Sequence, residues 1–290
     1  MLSSIIGILA YILLAPLAGG LLEGIDRKIT ARMQGRIGPP LLQPFYDVRK
    51  LLNKEILVIN NIQYLFAWCF IIFIVFTGAL FYGGFNLLLV LFVLTTAAMF
   101  LVLEASSTNS PYAVMGANRE LMQMLSYEPM VLLTAVGFYI ATRGTFSIKE
   151  IIEISSIPNI VYLPGVFIGF LFILTIKMRK APFDISMSHH AHQEVVNGVT
   201  TELSGGMLAI VDISHWYENI LLLGIVAMFF LCNKWWSIPL AVVMCAAVYF
   251  LEILISNTNA RVKWDRMFKS SWLMTLVFGA VNLFVLQMIL

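Results

Sequence analysis

The stretch RKAPFDISMSHHAHQEVVNGVTTELSGG, residues 179 to 206, gathers Asp184, His189, His190, His192, Glu194 and Glu202. Three of the chain's four histidines lie in it. Imidazoles beside carboxylates exchange protons, because His titrates near neutral pH and an adjacent acid can pass the proton on. If the polar run after Pro182 resumes as a short helix ending near Gly205 and Gly206, His190 and Glu194 share a face at i, i+4. His189 and His192 then share another face at i, i+3. Three imidazoles so arranged cannot converge on one point, so a metal ion would need ligands from elsewhere, and no metal-ligating motif supplies them. The spacing favours a proton-exchanging surface over a metal centre; a solvated, His-rich loop without chemistry is the alternative.

Four further acids stand inside or at the ends of apolar runs: Glu104, Glu128, Asp212 and Glu252. A charged side chain within a span costs about 2.5–3.5 kcal/mol on insertion, so such groups face the protein interior and mark ion or proton paths. Glu128 sits in SYEP with Ser126 and Tyr127, and Pro129 after it removes a backbone donor. A kink with a carbonyl open to water is the expected result. The structural alternative is a Glu128 that joins two helices, with Arg119 as its partner. Glu104 and Glu252 lie where side chains can snorkel, and Asp212 can sit near the interface with His215 and Trp216.

The elements that must hold these residues follow from composition. Hydrophobic residues make up 60% of the 290 residues and charged ones 12%, with a mean hydropathy of +0.89. A soluble domain has about a quarter charged residues, so the chain is an integral membrane protein and not a nucleic-acid binder. Apolar runs centred near residues 13, 73, 95, 131, 169, 219, 246 and 281 have the length a spanning helix needs. Lipid tolerates no unpaired backbone, which makes them helices. The expectation is an all-α fold of eight transmembrane helices in one polytopic domain, residues 1–290, its first span retained as an anchor. Cys69, Cys232 and Cys245 lie singly in apolar segments, without the spacing of a cluster, zinc site or disulfide framework.

Charge sets the orientation. Alternating the eight spans puts Arg27, Lys28, Arg32, Arg36, Arg49, Lys50, Lys54, Arg119, Lys177, Arg179, Lys180, Arg261, Lys263, Arg266 and Lys269 on one side. Only Arg143, Lys149 and Lys234 fall on the other. By the positive-inside rule both termini lie outside, and the loops near 23–62, 105–120, 177–206 and 257–270 are cytoplasmic. The outer connections are short, apart from GTFSIKEIIEISSIPN, whose Ile148, Ile151, Ile152 and Ile154 fit a short amphipathic helix at the interface. No internal repeat is present, which weakens the reading as an inverted-repeat transporter.

The first inner loop, EGIDRKITARMQGRIGPPLLQPFYDVRKLLNKE, has a turn-rich centre at Gly35, Gly38, Pro39, Pro40 and Pro44 between two basic, partly amphipathic pieces. Its charge suits anionic lipid. The diprolyl turn followed by Leu41, Leu42, Phe45 and Tyr46 is better matched to a protein partner or an apolar ligand.

DRKITARMQGRIGPPLLQPFYDVRKLLNKE, SYE, APFD followed by QE and TELSG, and NTNARVKWDRMFKSSW occur in this order along nearly the whole chain. In that order they resemble the membrane protein shared by respiratory complex I, where it is known as the H subunit, and the energy-converting nickel-iron hydrogenases. The resemblance implies a component without redox centres that anchors an electron-transferring arm and begins a chain of coupling carboxylates. It puts Asp26, Arg27, Arg32, Gln34, Arg36, Gly38, Pro39, Gln43, Pro44 and Asp47 at the docking loop. Glu128, Asp184, Glu194 and Glu202 fall on the polar path inward, with Glu104, Glu120 and Asp212 as further candidates along it; His189, His190 and His192 serve proton exchange or partner contact. Quinone-reducing members carry an extended RxGPNRVG segment and a denser acidic run after PFD. Here the sequence reads RIGPP and ISMSHHAHQE, closer to the Ech-type hydrogenase and formate hydrogenlyase branch. The implied partners are a hydrogenase large subunit with a [NiFe] centre, an iron-sulfur small subunit and antiporter-like membrane subunits in a prokaryotic cell membrane, with ferredoxin as indirect donor. A quinone-site subunit, or in another class a stand-alone ion transporter, is the alternative.

Overall fold

A computed structural model of the chain describes residues 2–55, 60–183, 186 and 195–289. Asp184, His189, His190, His192 and Glu194 lie outside the described residues. In chain order the helices are α1 (Leu2–Met33), α2 (Gln43–Leu52), α3 (Asn61–Tyr82), α4 (Leu87–Ser106), α5 (Pro111–Ala141) and α6 (Ile148–Ile154). A 3-10 turn, Asn159–Val161, leads to α7 (Pro164–Lys177), α8 (Gly205–Met228) and α9 (Ser237–Thr258). The chain ends with α10 (Trp264–Met274), a π-helical turn (Thr275–Ala280) and α11 (Val281–Ile289), which read together as one span. Among the described residues extended pairing is limited to two isolated bridges.

Seven of the eight expected spans are helices long and apolar enough to cross a bilayer. The eighth, α7, is apolar but has 14 residues, about 21 Å at 1.5 Å per residue, because Pro164 opens it and a reversal after Lys177 closes it. Conversely, α1 has 32 residues, about 48 Å. It therefore takes in residues 23–33, which the charge pattern had placed in the first inner loop.

The bundle has two unlike ends. Asn60 and Asn86 side chains cap α3 and α4 at opposite ends of it, and the Asn60 end belongs with the long polar connections. At this polar end α2 packs beside α1 and α8, its Phe45 ring 5.2 Å from that of Trp216. The inner connections are tighter than their sequence suggests: α5 begins at Pro111 and α10 at Trp264. Gly205 begins α8 instead of ending a polar helix. Its φ of +53° suits glycine, and a Cβ there would stand 2.7 Å from the Glu55 carbonyl.

Helix α8 is the axis. Its apolar stretch is 61% buried, against 22% for that of α1, and large exposed side chains such as Leu13, Ile72, Phe92, Val242 and Phe284 leave the periphery of the bundle apolar, as lipid contact requires.

Candidate functional site

The end of α7 decides where two cations go. Lys180 N–H donates to the Thr175 carbonyl at 2.9 Å and Arg179 N–H to the Ile176 carbonyl at 3.0 Å, the paired bonds of a Schellman reversal. The left-handed position falls on Arg179, φ +56°, where glycine is usual and other residues cost about 1–2 kcal/mol. The reversal folds Arg179 back towards α5 and α8, and directs Lys180 to Asp26 of α1.

Between α5, α7 and α8 these cations meet buried acids. Lys177 Nζ lies 3.0 Å from Glu218 Oε1, with side chains only 6% and 5% exposed. It also donates to the Tyr127 hydroxyl at 3.2 Å and sits 4.5 Å from the centre of that ring. Arg179 reaches Glu120 at 3.4 Å and Glu218 at 3.5 Å, and donates to the His215 ring. His215 Nδ1 is 3.3 Å from Glu218, three residues along α8 on the same face. Ser186 Oγ donates to Glu120. Two cations and two carboxylates thus balance in a place where each unpaired ion would cost several kcal/mol. Adding a proton to either acid leaves excess positive charge, so the protonation of one member acts on all the others.

A cavity of about 10 Å³ opens among Glu120, Gln123, Tyr127, Lys177, Arg179 and Glu218. It is about the size of one water molecule. Gln123 Nε2 is buried without a hydrogen-bond partner among the described residues and suits such a guest.

Towards the polar end a second acid lies below the α8 entry. Gln63 Nε2 donates to Glu104 Oε1 at 2.8 Å and to the Glu202 carbonyl at 3.4 Å. Gln63 and Glu104 are fully buried. Glu252 on α9 is also fully buried, and neither of its carboxylate oxygens has a partner among the described residues. A third group joins α1, α2 and α8: Arg27 bridges Glu23 at 2.5 Å and Asp47 at 2.7 Å, Gln43 donates to Asp47 at 2.8 Å, and Trp216 Nε1 donates to Glu23. Asp212, half-buried, faces this group electrostatically.

The sequence candidates thus separate. Glu104 and Glu120 are buried, while Glu202 is half-buried in the turn before α8 and offers its backbone carbonyl to Gln63. Glu128 is half-buried and forms no hydrogen bond or ion pair among the described residues. Helix α5 runs on through Pro129, and it is Tyr127, one residue earlier, that joins the network. In the docking loop, Asp26 accepts from Thr30 at 3.3 Å, and Gln34 bonds Asn257 at 3.2 Å and Arg36 at 3.0 Å. Arg32 and Arg36 are exposed. Pro44 is buried in the first turn of α2. Gly38 passes so near α1 that a Cβ would stand 3.0 Å from Lys28 Cα, and Pro39 follows it, half-buried.

The sequence reading missed Glu218 and Gln63 and took Lys177 and Arg179 only as orienting charges. The available signal was local: a carboxylate three residues after His215 in an apolar helix, and a lysine closing an apolar run. Among the described residues no three His, Cys, Asp or Glu converge as a metal site.

Known proteins resemble this chain along nearly its whole length. The H subunit of NADH-quinone oxidoreductase from Syntrophotalea carbinolica is 29% identical, the alignment covering 98% of this chain and 92% of that protein. Its counterpart from Anoxybacillus flavithermus is 28% identical over 91% and 87%. Among solved structures, a chain of the membrane-bound sulfane sulfur reductase, an archaeal respiratory membrane complex, superposes with a TM-score of 0.83 at 25% identity, covering 98% of this chain and 99% of that one. Residues 5–287 match the profile of the family described as NADH dehydrogenase, and with its helical membrane fold and near end-to-end alignment with these relatives the chain belongs to that family.

Proposed function

We propose that this chain is the membrane anchor and coupling subunit of an ion-translocating, ferredoxin-dependent [NiFe] hydrogenase complex. The observation that carries the coupling role is the balanced Lys177–Glu218–Arg179–Glu120 network, ion-paired at 3.0–3.5 Å in a chain that otherwise avoids charge. Electron transfer in a docked arm alters charge or conformation at the polar end, and the buried acids Glu120, Glu218 and Glu104, with Glu202 beside them, respond by changing protonation. The polar end then faces the cytoplasm and both termini lie outside. The exposed side of α2, with Tyr46, Arg49 and Lys50 around a shallow cleft, receives the arm. The [NiFe] centre and iron-sulfur clusters belong to partner subunits, and antiporter-like subunits continue the ion path within the membrane.

The hydrogenase branch is favoured by RIGPP and by the histidine-bearing 184–194 segment. Identity to NADH-quinone oxidoreductase subunits supports a quinone-site subunit as the second reading. Affinity purification from native membranes separates the two: a hydrogenase large subunit with ferredoxin-driven hydrogen evolution insensitive to quinone-site inhibitors is the expected result. Inhibition, or quinone-dependent oxidoreductase partners, would select the second reading. Ion flux through liposomes holding this chain alone would overturn both.

A further inference from the structure

At the end opposite the polar loops, a cavity of about 460 Å³ lies between the start of α1, the end of α3, α6 and the end of α8. Its walls are mainly apolar, with Phe81, Ile148, Ile152, Ala227 and Leu231 among them, while Lys149 and Glu153 stand at its edge. We propose that this cavity is a binding site for one zwitterionic glycerophospholipid, one of its acyl chains lodged in the hollow bounded by α1, α3, α6 and α8 and its phosphate and ammonium groups at Lys149 and Glu153.

Three observations lead there. First, the walls are fixed in place by close packing at their edges. Leu87 N–H donates to the Phe146 carbonyl at 2.8 Å and Ile148 N–H to the Phe85 carbonyl at 3.0 Å, fastening α6 to the α3–α4 turn. At Gly84, φ +80°, a Cβ would stand 3.1 Å from Lys149 Cβ, so the turn needs glycine for α6 to approach. Across the cavity a Cβ on Gly224 would come within 2.7 Å of the Phe81 ring, which fixes how closely α8 and α3 pass.

Second, the cavity lies at the level where α3 and α8 end, α4 begins and α6 runs as a short helix beside them, the depth at which a bilayer passes from chains to headgroups. A mainly apolar hollow at that depth suits an acyl chain with its headgroup at the rim.

Third, the charge at its edge distinguishes among lipids. Lys149 Nζ and Glu153 Oε1 are 3.8 Å apart and largely exposed, a pair worth little on its own. Exchanging it for two charge-assisted contacts, ammonium to phosphate and carboxylate to amine, costs little and gains both. Glu150 is exposed on the same helix, so α6 carries two carboxylates against one cation, which disfavours a purely anionic headgroup.

The test is lipid stoichiometry in the whole complex, purified in mild detergent from membranes containing phosphatidylethanolamine and phosphatidylglycerol. Native mass spectrometry of the intact assembly should show one retained phosphatidylethanolamine whose retention Ala227→Phe, which fills the cavity, lowers at least tenfold. Lys149→Glu, at an exposed position that leaves the fold alone, should lower its retention by a similar factor, and the swap K149E/E153K should restore it. Equal retention in all variants, retained phosphatidylglycerol in its place, or a partner subunit's helix seated in the cavity would overturn the assignment. None of these readouts depends on which redox reaction the complex performs.

Discussion

At the residue scale, Lys177 and Glu218 form the pair on which the network depends. Removing one partner of a buried pair strands the other and costs about 3–5 kcal/mol, whereas replacing both with apolar groups of similar size is close to neutral. Lys177→Met or Glu218→Leu should each lower the thermal stability of the purified chain sharply, and the double variant should recover most of the loss, as a double-mutant cycle would show. Glu104→Gln makes a different prediction. The substituted amide oxygen can still accept from Gln63, so assembly should stay intact while ion translocation per electron falls at least tenfold; unchanged gradients in membrane vesicles would make Glu104 structural. The acids at 104 and 252 were legible from sequence because a carboxylate in an apolar run is conspicuous. Glu218 offered the same local signal, but its role lies in a lysine on another helix, and only folding brings the two to 3.0 Å.

At the element scale, what could be read in advance was periodicity and punctuation. The apolar spans, the short helix α6 and helix α2 after the diprolyl turn follow from apolar runs and breakers. Boundaries did not follow, because α1 continues through residues 23–33 beyond its apolar core, held by Arg27, Asp26 and Thr30 contacts that hydropathy does not see. Gly205 shows the same limit: its sequence neighbours suit a helix end, yet tertiary contact with Glu55 makes it a helix start. Gly205→Val should therefore disturb the α8 entry through both its positive φ and the Glu55 carbonyl. We expect a several-fold drop in recovered, monodisperse protein on size exclusion.

At the scale of the whole molecule, the positive charge of one end is where the proposed peripheral arm would dock. Arg32, Arg36, Arg49 and Lys50 are exposed there, and long-range attraction between exposed charges fades above about 0.15 M salt, where the Debye length falls below about 8 Å. The charge reversal R49E/K50E should release the peripheral arm at salt concentrations the wild-type complex withstands, measured as arm subunits lost during a salt wash. Family membership was legible because several motifs keep one order along nearly the whole chain, while the branch was not, because the segments that differ between branches, RIGPP and ISMSHHAHQE, are short.

The brevity of α7 bears on the electrical properties of the assembly. A membrane potential falls across whatever insulating thickness separates the two aqueous phases, and a helix of about 21 Å leaves less of it than the usual core of about 30 Å. If headgroups or water follow its ends inward, the local gradient steepens by roughly 1.4-fold along the line that finishes at Lys177. On the proposed path, a proton passing the Glu218 network would then cross a larger share of the voltage over each ångström it travels.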